Sequence, residues 1–255
     1  MRYVEHGSGA AVLVLHGAGV DHREPEACLE PVLATYGGLR RIYPDLPGMG
    51  QTDAPASLAG ADDVVEVLGG LVDGLVGDGS VLLMGHSAGG YYASALASAR
   101  PTQIGGLALV CSLLPAAGDV PPHRPVVADD DLGDEVFRSY FVVQTQEMLD
   151  RYDRYVVPGA ALADHDAMAR IGEHWELSSV EAAYPGPTLL VAGRRDSVVG
   201  WAATADRLAD HPKATLAILE NAGHALPHEQ AALLGALVVD WLDRSLSAAA
   251  VRPEA

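Results

Sequence analysis

Gly85-His86-Ser87-Ala88-Gly89 is the stretch whose reading decides the fold. It fits the pattern G-x-S-x-G, and its flanks matter more than the pattern. Val81-Leu82-Leu83-Met84 before it is a short apolar run that reads as a buried strand. Gly90-Tyr91-Tyr92-Ala93-Ser94-Ala95-Leu96-Ala97 after it is rich in alanine and free of proline, and reads as a helix. A turn that joins them directly needs small residues at 85 and 89 so that the backbone can crowd together, with Ser87 strained at the tip. A hydroxyl held there stands above the strand end, beside helix amides that favour developing negative charge.

Outward from this turn, strands and helices alternate on both sides. Tyr3-Val4-Glu5 and the apolar run Ala11 to Leu15 read as strands, the second leading into His16-Gly17-Ala18-Gly19. Pro25 to Tyr36 has apolar residues at helical spacing, and Arg41-Ile42-Tyr43 reads as a strand entering the turn-rich Pro44-Asp45-Leu46-Pro47-Gly48-Met49-Gly50. Asp62 to Val76 carries one apolar helical face, with Asp62 or Asp63 expected as its cap. Leu107 to Val110 reads as the next strand. The alternation stops at Leu113–Tyr184, a charged, helix-prone stretch that opens with Pro115, Pro121, Pro122 and Pro125 and carries Phe137, Tyr140, Phe141, Tyr152, Tyr155 and Trp175. It resumes with strand Thr188 to Ala192, helix Trp201 to His211, strand Thr215 to Leu219 and a closing helix Gln230 to Leu246. This is the pattern of a mostly parallel, doubly wound sheet. An insertion between its strands lies over the strand ends where ligands bind. The expected division is a core of residues 1–112 and 185–247, a helical cap of 113–184 inserted before the last two strands, and a frayed tail of 248–255.

Composition narrows the function. With 255 residues, 49% of them hydrophobic, the chain can bury a sizeable core. No apolar run approaches the ~20 residues of a membrane helix, and the start lacks the apolar core of a secretion signal. Cys28 and Cys111 have no metal-like spacing and read as reduced thiols, so a cytoplasmic location is expected. The formal charge of −18 argues against nucleic acid and anionic membranes as partners. An anionic substrate would need a local arginine to overcome that field. The expected partner is a small-molecule substrate, for a monomer or homodimer that uses no cofactor and no metal. Asp164-His165-Asp166 has ligand-type residues, but no second cluster accompanies it, and it reads as a helix start.

A serine hydroxyl is a poor nucleophile until a base takes its proton and a third group orients that base. Gly193-Arg194-Arg195-Asp196 and Asn221-Ala222-Gly223-His224 each directly follow an apolar strand. Both therefore fall at carboxyl ends of strands, on the same edge as Ser87. Asp196 could instead cap the following helix, and Asp45 is a lower-ranked orienter. His86 is read as packing beneath the loop, His228 and Glu229 as supports, and Arg194 and Arg195 as a solvated loop face.

These motifs together identify the chain as resembling the α/β-hydrolase superfamily, through Tyr3–Ser112 and Pro185–Leu246. His16-Gly17-Ala18-Gly19, Asp45-Leu46-Pro47-Gly48-Met49-Gly50, the serine turn, Gly193-Arg194-Arg195-Asp196 and Gly223-His224 occur in the family's order. The resemblance implies Ser87 as nucleophile, His224 as general base and then acid, and Asp196 as its orienter. It maps the oxyanion donors to the backbone amides of Ala18 and Ala88, with Gly19 as a substitute. The chain departs from the family in starting almost inside the segment Tyr3-Val4-Glu5 and in carrying Met49 where D-L-P-G-H-G has histidine.

The implied activity is a serine hydrolase, carboxylesterase-like, cleaving an ester, lactone or similar activated carbonyl of a small apolar or aromatic substrate through an acyl-enzyme. A second reading on the same fold is a carbon–carbon bond hydrolase of a ring-cleavage dienol ketone. Such enzymes share the triad and cap but commonly show Ser-Met-Gly-Gly and a tryptophan after the histidine, where this chain has Ser87-Ala88-Gly89-Gly90 and His224-Ala225. A third, of another class, is a hydrolase-like binding or cyclising protein with an idle triad.

Overall fold

The computed structural model of the protein describes residues 1–113, 120–178 and 183–250. Seven strands form one sheet: β1 (Tyr3–Gly7), β2 (Ala10–Leu15), β3 (Leu39–Pro44), β4 (Val81–His86), β5 (Ile104–Val110), β6 (Thr188–Gly193) and β7 (Ala214–Leu219). Their spatial order is β1-β3-β2-β4-β5-β6-β7. β1 runs antiparallel to β3 at one edge, and every other neighbouring pair is parallel. The central strands β4, β5 and β6 are buried along their whole length. Their near-continuous apolar sequences follow from being covered on both faces.

Helices divide between the two faces. On one, α2 (Ala61–Val76) and α3 (Ala88–Ala99) set Val64, Leu68, Val72, Ala93 and Leu96 against Leu13, Leu15, Leu83 and Leu107. On the other, α1 (Arg23–Leu33) and α10 (Ala231–Ala250) set Leu29, Leu33, Leu234, Val238 and Trp241 against Val12, Val14, Leu82 and Ala108. Alternate residues of one strand thus feed two separate cores, as the period-two geometry of a strand requires.

Between β5 and β6 the described chain forms α4 (Glu135–Tyr140), α5 (Gln146–Arg151), a π-helical turn (Tyr152–Val156), α6 (Val157–Ala160) and α7 (His165–Gly172). This helical segment is inserted before the last two strands. Phe137, Phe141, Met148, Tyr152 and Val156 form a core of their own with Val20 and Ala225. Asp134, Thr145 and Asp164 cap α4, α5 and α7 through side-chain bonds to Phe137, Met148 and Ala167 amides. Asp164 therefore serves the helix start expected of it. Of the proline-rich opening, Pro115 lies outside the described residues.

Several boundaries differ from expectation. The first helix is Arg23–Leu33, shorter at its end than Tyr36, because beyond Ala34 the amides of Thr35 and Tyr36 turn to the carbonyls three residues back, Val32 and Leu33. α2 begins after Gly60, and Asp63 reaches back to the amides of Ala59 and Gly60, while Asp62 instead accepts from Ser178. Asp63, not Asp62, thus serves this helix start. The segment expected as one helix from Trp201 breaks into α8 (Ala202–Asp206) and a 3-10 turn (Arg207–Ala209). Between β7 and α10 a short helix, α9 (Leu226–Glu229), starts just after His224. α10 runs through Ala248 to Ala250, so that part of the expected tail is helical, and 251–255 lie outside the described residues. No helix among the described residues is long and apolar enough to cross a membrane.

Candidate active site

Ser87 sits between β4 and α3 with φ 52° and ψ −120°, the left-handed side that a non-glycine residue rarely occupies. The surrounding backbone is crowded. A Cβ on Gly85 would lie 2.3 Å from the Gly89 carbonyl oxygen, and one on Gly89 2.4 Å from that of His16. The strain is held by hydrogen bonds on both sides: the Ser87 amide donates to Val110, and the Ser87 carbonyl accepts from Tyr91 and Leu113.

The structure brings Ser87, His224 and Asp196 into one chain of hydrogen bonds. His224 Nε2 is 2.9 Å from Ser87 Oγ, and its Nδ1 is 2.9 Å from Asp196 Oδ2. Asp196 is fully buried. Burial opposes its ionisation, but the His224 bond and the amides of Val199 and Val198 outweigh this and hold its pKa below the ordinary carboxylate value. An ionised Asp196 can only accept, so Nδ1 carries the proton and Nε2 offers its lone pair to the serine hydroxyl. That arrangement can lift a proton from Oγ as the serine attacks. Asp196 Oδ1 meanwhile accepts from the Val198 and Val199 amides of the turn that follows; it caps no helix, because the next one starts only at Ala202 with Trp201 at its N-cap position.

The histidine loop is fixed from three directions. His86 Nε2 lies 2.9 Å from the His224 carbonyl, with the two rings 4.9 Å apart. Burial pushes the His86 pKa down to about 4, so it is a neutral ring donating one bond. Glu229 accepts from the amides of Gly223, Val142 and Val143, tying this loop to the chain after α4. Tyr140 presents its ring edge-on to His224 at 6.1 Å while its hydroxyl donates to Glu24 at 2.7 Å. The role of Tyr140 had no sequence signal, since its partners come from opposite ends of the chain.

The loop His16–Gly19 lies against the serine: the Cβ that Gly17 lacks would be 3.3 Å from Ser87 Cβ. His16 is buried and anchors this loop, with Nδ1 2.7 Å from the Gly17 carbonyl and Nε2 accepting the Leu46 amide at 2.8 Å. Burial lowers its pKa, in keeping with a neutral ring. The Ala18 and Ala88 amides have no hydrogen-bond partner among the described residues. The Gly19 amide does: it donates to Met49 Sδ at 3.3 Å, which gives the histidine-to-methionine departure a structural task.

The remaining candidates lie elsewhere. Asp45 pairs with His22 and the Gln51 amide, not with His224. The Arg194 guanidinium stacks 4.2 Å over Trp201, and Arg195 binds Glu220. Two groupings of ligand-type side chains occur among the described residues, His86 with Cys111 and His224, and Asp21 with His22 and Asp45. Their imidazoles are committed to the bonds just given.

The family model for the alpha/beta hydrolase family matches residues 12–236. The chain belongs to the alpha/beta hydrolase family. It is 28% identical to a 2-hydroxy-6-oxononadienedioate/2-hydroxy-6-oxononatrienedioate hydrolase of Pseudomonas putida, over 95% of this chain and 91% of the relative. It is 29% identical to a 2-hydroxymuconate semialdehyde hydrolase of Pseudomonas sp. strain CF600, over 96% of this chain and 91% of that one. Among solved structures, an alpha/beta superfamily hydrolase from Oenococcus oeni PSU-1 superimposes with a TM-score of 0.87 at 26% identity, covering 95% of both chains.

Proposed function

We propose that this hydrolase uses Ser87, His224 and Asp196 to cleave an ester, lactone or similar activated carbonyl of a small substrate through an acyl-enzyme. The observation that carries the reading is the continuous Ser87–His224–Asp196 hydrogen-bond chain at a strained strand-to-helix turn. Ser87 Oγ attacks the carbonyl carbon as His224 Nε2 takes its proton. The tetrahedral oxyanion is received by the Ala18 and Ala88 amides, which have no hydrogen-bond partner among the described residues. His224 returns the proton to the leaving oxygen, and water then releases the acid by the same steps. Gly19 is the weaker donor candidate because its amide is engaged by Met49. The α4–α7 segment acts as a cap roofing the pocket, and Tyr140 of α4 sets its ring edge-on to His224.

The relatives favour a second reading, hydrolysis of a carbon–carbon bond next to the carbonyl of a dienol ketone. Against it stands charge. A dienedioate needs cationic partners, whereas Arg23 pairs with Asp21, Arg170 with loop carbonyls, and Arg194 and Arg195 with Trp201 and Glu220.

Exposure to a fluorophosphonate, followed by intact mass and peptide mapping, tests the serine. A single adduct on Ser87, absent in Ser87→Ala and His224→Ala, is the expected result. No adduct on folded protein would overturn the acyl-enzyme reading in favour of a protein that binds without turnover. Parallel assays with neutral aryl esters, lactones and a dienol ketone then separate the two bond types.

A further inference from the structure

Behind the catalytic histidine lies a second set of side chains with the same logic of nucleophile, base and carboxylate. Glu24 and Cys28 are one turn apart on α1 and so share a face. His228 on α9 stands between them, with Nδ1 3.5 Å from Cys28 Sγ and Nε2 3.2 Å from Glu24 Oε1. Arg151, the last residue of α5, donates from Nε to His228 Nδ1 at 3.1 Å and from Nη2 to Cys28 Sγ at 3.4 Å. Its Nη2 also reaches the Ala27 carbonyl, which Pro31 leaves without its usual helical donor. Arg151 Nη1 has no hydrogen-bond partner among the described residues.

The Arg151 Nε–H donates to Nδ1, so the His228 proton sits on Nε2 toward Glu24 and the Nδ1 lone pair faces the thiol. Burial opposes ionisation of Glu24, yet the bonds from His228 and Tyr140 help hold that carboxyl down at about 2. A carboxylate thus backs an imidazole whose lone pair meets a thiol.

This cluster opens on a groove. Between α1, α5 and α10 lies a cavity of about 510 Å³ whose wall includes Cys28 and Arg151. Its other lining side chains, among them Pro31, Val32, Ala232 and Val239, are mostly apolar. The groove is therefore an apolar slot with one guanidinium and one thiol at the same end. The second cysteine has none of this. Cys111 is fully buried, burial pushes its thiol pKa well up, and its Sγ faces the Gly223 carbonyl.

We propose that Cys28, with His228 and Glu24, is a thiol–disulfide exchange site for a small apolar disulfide that carries a carboxylate. His228 Nδ1 takes the Cys28 proton, which frees the Arg151 guanidinium to hold the carboxylate. The sulfur then attacks one sulfur of the incoming disulfide. The old S–S bond breaks, and the departing sulfur leaves with the electron pair and receives the proton. Cys28 is oxidised to a mixed disulfide and the departing thiol is the reduced product.

The test uses 5,5′-dithiobis(2-nitrobenzoate), an aromatic disulfide with carboxylates, on the folded full chain at pH 7. Released thiolate is followed by absorbance and the adduct is mapped by mass. The expected result is one adduct, on Cys28 and absent in Cys28→Ser, with Cys111 labelled only after denaturation. His228→Gln and, separately, Arg151→Gln slow the reaction roughly tenfold or more. Labelling of Cys111 first, labelling only after denaturation, or equal rates in both variants would overturn the proposal. Circular dichroism checks that each variant is folded. Should His228→Gln not be, Arg151→Gln at the groove wall decides alone. No readout depends on hydrolase turnover, so the result stands apart from the fate of the Ser87 reading.

Discussion

Asp196 divides its carboxylate between two tasks, Oδ1 accepting the Val198 and Val199 amides and Oδ2 facing His224 Nδ1. Asn at this position keeps the first task and reverses the second. Its carbonyl oxygen still accepts from the turn, but its amide donates to Nδ1 and forces the His224 proton onto Nε2. The imidazole can then no longer accept from Ser87. Asp196→Asn is expected to lower kcat by about 10⁴ with little change in thermal midpoint. A loss below tenfold in steady-state kinetics would show that His224 is oriented by something else. Ser87, Asp196 and His224 were legible from sequence because each directly follows an apolar strand, and strand ends on one edge of a parallel sheet must converge. Glu24 and Tyr140 were not. They sit within helical patterns with no local mark, and their bond to each other and to His228 exists only once α1, α4 and α9 are packed together.

The β4–Ser87–α3 turn is decided by how closely its backbone approaches its neighbours. A Cβ on Gly89 would sit 2.4 Å from the His16 carbonyl oxygen and 2.6 Å from that of Leu15, both backbone atoms of β2 and its loop. Neither can yield without moving the loop that carries Ala18. Gly89→Ala is therefore expected to cost about 2–4 kcal/mol, read from urea unfolding, and to abolish fluorophosphonate labelling of any folded fraction. Unchanged stability would mean that α3 is free to shift. The next loop out is tied by His22, whose Nδ1 lies 2.7 Å from Asp45 Oδ1. The Asp45 bond raises the His22 pKa against a smaller effect of burial. A raised histidine adds stability that is complete below its unfolded value, about 6.5, and fades as pH rises through the folded one. His22→Gln should thus be less stable than the parent by about 1 kcal/mol at pH 5.5, with a smaller gap at pH 9. A gap constant across that range would assign the whole effect to the neutral hydrogen bond. At this scale the alternation of strands and helices was legible, but the ends were not. α1 stops early where Thr35 and Tyr36 bond three residues back, and α2 starts with Asp63 reaching backwards while Asp62 serves the chain near Ser178. Neighbouring aspartates look alike in sequence, and only the fold says which one faces which amide.

The whole molecule carries a formal charge of −18, and every substrate must cross that field to reach the strand ends. Among the arginines of the loops, Arg23 pairs with Asp21, Arg194 stacks on Trp201 and Arg195 pairs with Glu220. A neutral ester feels the field weakly, whereas an ester bearing a carboxylate is repelled at long range. Salt shortens that range, from about 30 Å at 0.01 M ionic strength to about 10 Å at 0.1 M. Raising ionic strength across this interval should therefore increase kcat/KM for a carboxylated aryl ester severalfold and leave its methyl-ester counterpart nearly unchanged, with kcat the same for both throughout. The paired measurement removes general salt effects on the protein, because both substrates meet the same enzyme. A carboxylated substrate whose kcat/KM falls with salt would instead reveal a cation acting at the site. It would then move the dienedioate reading suggested by the relatives ahead of the neutral ester.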